Sequence, residues 1–67
     1  MKISLNNNPE TLEGTSITVN QLLKLKNFTF KMLIIKINGR LIQKEDYGTA
    51  TIQDGDDVTV MHLISGG

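Results

Sequence analysis

Val58-Thr59-Val60-Met61-His62-Leu63-Ile64-Ser65-Gly66-Gly67 closes the chain. Val58, Val60 and His62 alternate with Thr59, Met61 and Leu63, the two-residue period of a strand. The set that starts with β-branched valines is assigned to the core side, which leaves Met61 and Leu63 on the open face. The run then thins to Ser65 and two glycines. An idle, frayed end is one explanation of such a finish. The other is that the α-carboxylate of Gly67 is the working group. The second gives the glycines a physical reason, because a chain without Cβ atoms enters a narrow channel and keeps its carbonyl open to attack. Ile64 to Gly67 would extend roughly 13 Å at about 3.3 Å per residue, enough to reach into another protein's site.

Working back from that strand, Gln53-Asp54-Gly55-Asp56-Asp57 is predicted to be a tight turn. Asp side chains bond their own backbone there and Gly supplies a left-handed dihedral. Three acids around a glycine also resemble part of a calcium loop, but the alternate oxygen ligands and the distant Glu are missing. Leu33-Ile34-Ile35-Lys36-Ile37 is a β-branched strand with Leu33, Ile35 and Ile37 on one face. Asn38-Gly39 follows as a two-residue hairpin turn, since both central positions require positive φ. Arg40-Leu41-Ile42 is the return strand. Lys44 to Gly48 forms a helical turn or loop, with Tyr47 covering a core edge.

The first half carries a hairpin and a helix. Met1, Ile3 and Leu5 alternate with Lys2, Ser4 and Asn6 as in a half-buried strand. Asn6-Asn7-Asn8-Pro9 breaks it, and Glu10 to Glu13 is expected to return, ending at Gly14. Thr18 and Gln21 fit a capping box, with Ile17 and Leu22 placed as a hydrophobic staple. Val19, Leu22 and Leu23 then share one helical face, Lys24 and Lys26 lie near the negative end of the dipole, and Asn27 stops the helix. Phe28 to Met32 shows no clear period. The expected order is strand, strand, helix, strand, strand, a turn of helix, strand. Residues 1–67 are taken as one domain, with 64–67 as its functional tail.

Composition narrows the function classes. Sixty-seven residues supply one small core, and the chain has no Cys for a disulfide or thiolate site. Seven basic and seven acidic residues cancel, with one Tyr and two Phe. A nucleic-acid partner would need a basic stripe. No apolar stretch has the length to cross a bilayer, and Met1-Lys2-Ile3-Ser4 does not resemble a targeting segment. The expectation is a cytoplasmic protein, monomeric when free. His62 has no nucleophile or acid at a catalytic spacing, and no phosphate loop or paired-carboxylate arrangement is found. No catalytic residue and no metal ligand is assigned.

Lys36-Ile37-Asn38-Gly39-Arg40-Leu41-Ile42, the aromatic Tyr47, the Gln53-Asp54-Gly55-Asp56 turn, the apolar last strand and Gly66-Gly67 together resemble the ThiS sulfur carriers of thiamine biosynthesis. The similarity is loose up to Lys31 and tight after it. Gln43 stands where family members often have Pro, and Asn27 to Leu33 carries no family pattern. The resemblance implies an α+β, ubiquitin-like β-grasp: a mixed sheet of four to five strands, one helix across one face, and a flexible C-terminal tail. First and last strands would pair in parallel at its centre.

It also implies a carrier in place of an enzyme. A ThiF-like adenylyltransferase would use ATP to adenylate Gly67, and a persulfide donor would supply sulfur to leave a thiocarboxylate (1-thioglycine). A ThiG-like thiazole synthase would receive that sulfur. Ser65 and Gly66 belong to the tail, Met61, Leu63 and Ile64 to a partner-binding patch, and no cofactor is bound. Three rival readings share part of the pattern. A molybdopterin synthase small subunit uses the same tail chemistry but often has prolines before the Gly-Gly. A ubiquitin-like modifier would form isopeptide adducts, and a TGS-type regulatory module would have no need of a free Gly-Gly.

Overall fold

The computed structural model describes residues 1–28 and 32–62. Strands β1 (Lys2–Leu5) and β2 (Asn8–Thr11) form the first hairpin, followed by β3 (Ser16–Thr18) and helix α1 (Val19–Leu25). Next come β4 (Leu33–Ile37), β5 (Arg40–Ile42), a 3-10 turn at Lys44–Asp46, β6 (Thr51–Gln53) and β7 (Asp57–His62). Five strands make a mixed sheet in the order β2-β1-β7-β4-β5. β1 and β7 run parallel at its centre, with Ser4 beside Asp57 and Leu5 beside Val58, while β4 runs antiparallel along β7's far side from Val58 to His62.

The hairpin differs from expectation. Only Asn6 and Asn7 make the turn, both at positive φ, and the return strand starts at Asn8 instead of Glu10. Pro9 is therefore a strand residue, paired opposite Ser4. It is tolerated because β2 is an edge strand and the ladder there does not require the missing N–H. The two-stranded pair of β3 with β6 has no counterpart in the expected order, because each strand has three residues, too few to show a period.

The helix follows its sequence signals. Thr18 Oγ1 accepts from Gln21 N at 3.1 Å and Gln21 Oε1 accepts from Thr18 N at 2.8 Å, which is the reciprocal capping box. At the other end Asn27 adopts φ 58°, Phe28 N donates to Leu23 O at 2.8 Å and Asn27 N to Lys24 O at 3.1 Å. These two bonds are a Schellman closure with Asn in the left-handed position. Lys26 then reaches Glu10 at 2.8 Å, linking the helix end to β2.

The core lies between helix and sheet. Val19 and Leu22 of α1 bury against Ile3, Leu5, Ile35, Val58 and Val60, with Leu12, Tyr47 and Ile52 closing the sides. Leu33, Ile37, Ile42 and Phe28 pack around that cluster. Tyr47 does cover a core edge. Its hydroxyl lies 3.5 Å from Leu33 O, and burial raises its pKa above 10.0 by desolvating the phenolate.

Candidate functional site

β7 is the last described element before residues 63–67. Its entry is pinned by the turn before it. Lys2 N donates to Asp54 Oδ1 at 2.6 Å, Gly55 N to Lys2 O at 2.7 Å, and Gln53 N to Asp56 Oδ2 at 2.9 Å. The acids of this turn therefore accept main-chain N–H groups, with Gly55 at φ 88°. Among the described residues no group of three or more His, Cys, Asp or Glu is arranged to hold a metal.

The flanks of β7 are held by two asparagines. Asn38, at φ 54° in the β4–β5 turn, donates its N–H to Asp57 O at 2.7 Å and accepts from Asp57 N at 2.9 Å through Oδ1. Asn6 grips the middle of the strand, accepting from Val60 N at 2.8 Å and donating to Val60 O at 3.1 Å. The strand is thus bonded on both sides nearly to its end, where His62 stands opposite Leu33.

Val58 and Val60 are buried as expected, whereas His62, on the same side in register, is exposed. It stands at the end of β7, beyond the buried stretch of the strand. On the open face Met61 is 46% exposed. Opposite it lies half-buried Ile34, and Lys36 sits between Thr59 and Leu41, which is 53% exposed. Ile34, Leu41 and Met61 therefore form an apolar patch with Lys36 at its centre, on the face that the helix leaves uncovered. Ile34 and Leu41 were not picked out as patch residues from sequence. The alternation in β4 and β5 carried the signal, because Ile34 is out of phase with Leu33 and Ile35. The other residues assigned to the site, Leu63, Ile64, Ser65, Gly66 and Gly67, lie outside the described residues, as does Phe30.

The sequence profile of the ThiS family matches residues 3–67, running through the last glycine. The chain belongs to the ThiS family. A ThiS thiamine biosynthesis protein from Geobacter metallireducens has a crystal structure that is 30% identical, with both chains covered in full and a TM-score of 0.86. The solution structure of a thiamine biosynthesis protein from the same organism gives a TM-score of 0.76 at 30% identity, covering all of this chain and 88% of that one. No curated protein gives a significant match. The five-stranded mixed sheet with one helix is accordingly the ubiquitin-like β-grasp that the resemblance implied. ThiS family membership carries a coarse role with it: a small sulfur carrier of thiamine biosynthesis, not a catalyst. No helix among the described residues is long and apolar enough to cross a membrane.

Proposed function

We propose that this ThiS-family protein carries sulfur as a thiocarboxylate on Gly67. The free carboxylate is a poor electrophile. A ThiF-like adenylyltransferase would join it to AMP, with pyrophosphate leaving ATP. The terminal sulfur of a persulfide then attacks the activated carbonyl, AMP departs, and a thiol reduces the acyl disulfide to release the thiocarboxylate. A ThiG-like thiazole synthase accepts that sulfur into the forming thiazole ring. Residues 64–67 act as the tail, with Ser65 and Gly66 as its spacer. Met61, together with Leu63 and Ile64, docks the partner, and the cytoplasm is the site of action.

The observation that carries this reading is the family match that continues to the final Gly66-Gly67, on a chain whose last strand is the sheet's centre. The Ile34, Leu41 and Met61 patch supports the docking part, since partly exposed apolar side chains on an uncovered face are the usual form of a contact surface. Adaptable Met suits a surface that serves two successive partners.

The test is intact-protein mass spectrometry after incubation with a ThiF-type adenylyltransferase, ATP and a persulfide donor. The expected product has one oxygen exchanged for sulfur at the C-terminal glycine, and a chain lacking Gly67 gains none. Sulfur uptake by the truncated chain would end the proposal.

A further inference from the structure

We propose that Asn38 is the chain's deamidation site and that the Asp56–Asp57 segment restrains its conversion. In this reaction the main-chain nitrogen of Gly39 attacks Asn38 Cγ. The Cγ–Nδ2 bond breaks, ammonia leaves, and water opens the cyclic imide to Asp or isoaspartate. The nucleophile must approach closely, so the following residue decides the intrinsic rate, and glycine obstructs least. Of six asparagines, Asn38 alone precedes a glycine, while Asn8 precedes Pro9, which has no N–H to lose. Asn38 is also exposed, at the tip of the β4–β5 hairpin.

Folding opposes the attack. The side-chain amide is held at the start of β7, where Oδ1 accepts from Asp57 N at 2.9 Å and Nδ2 donates to Asp56 Oδ1 at 3.1 Å. Cγ reaches Gly39 N in a reactive arrangement only when these two bonds are released. The product is opposed as well. Replacing Nδ2 by oxygen turns the contact with Asp56 Oδ1 into one between two carboxylates, with Asp57 alongside. Isoaspartate adds a backbone atom to a two-residue turn whose register, Ile37 opposite Arg40, has no room for it. The modification therefore reads out how often the entry to β7 opens, and once made it loosens that entry irreversibly.

The experiment follows the tryptic fragment ending at Arg40 by mass spectrometry during incubation of the full chain in mildly alkaline buffer. Asn38 is expected to convert before any other asparagine. Asp56→Ala should accelerate it by about fivefold or more, because losing one hydrogen bond gives about that factor and the acceptor of Gln53 N is lost along with that of Asn38 Nδ2. Ile35→Val serves as the comparison, since it lowers global stability without touching the clamp. An equal acceleration in Ile35→Val and Asp56→Ala would show that global unfolding sets the rate, and would overturn the proposal. So would conversion of another asparagine first.

Discussion

The side-chain amide of Asn6 pairs with both main-chain groups of Val60, donating to its carbonyl and accepting from its N–H. Asn6 thereby acts as a surrogate strand residue where β1 has already turned away at φ 52°. Asn6→Gly keeps that dihedral accessible and removes only the amide. The expected cost is about 1–2 kcal/mol, because two partly buried main-chain groups lose their partner. A urea titration measures it, and an unchanged midpoint would mean that the pairing contributes nothing.

Thr18→Ala should cost about 1 kcal/mol, the usual worth of an N-cap side chain. A seven-residue helix has little stability of its own, so the loss should appear in the global transition and not as local fraying. Far-ultraviolet dichroism and a tertiary probe should therefore shift together.

Tyr47 makes stability fall at alkaline pH. Its folded pKa is raised above 10.0 by desolvation, so above pH 10.0 the unfolded chain loses the phenolic proton first. Fewer protons bound to the unfolded state make stability fall as pH rises, from 10.0 up through the raised folded value. Below 10.0 the contribution is intact. Tyr47→Phe should remove this loss and, with the hydroxyl 3.5 Å from its acceptor, cost under about 1 kcal/mol at neutral pH. Stability measured against pH for both proteins checks the sign.

Met61→Asp should weaken association with a ThiF-type adenylyltransferase by about tenfold or more, as for a central contact residue, with a stability cost under about 1 kcal/mol. Equal affinity would move the docking surface elsewhere. Leu63→Asp is expected to act in the same direction.

Much of this was legible because local chemistry and tertiary role agree. Asn38-Gly39 could only turn, Thr18 and Gln21 could only cap, and the β-branched runs could only bury one face. The misreadings have the same physical basis. Pro9 looked like a breaker because sequence does not reveal whether a strand lies at an edge. β3 and β6 are stabilised by each other, from opposite halves of the chain, with too few residues to show alternation. His62 kept the phase of the valines, but phase says nothing of where the core ends. The role proposed for residues 64–67 rests on their glycines and on the family match.

The parallel pairing of Ser4 and Leu5 with Asp57 and Val58 has a consequence for synthesis. β1 pairs with β2 at once but waits for β7 on its other side, so a growing polypeptide displays an unsatisfied edge and half a hydrophobic interior until β7 is made. Cooperative collapse then follows the emergence of β7, and a product terminated before it lacks the strand that joins β1 to β4.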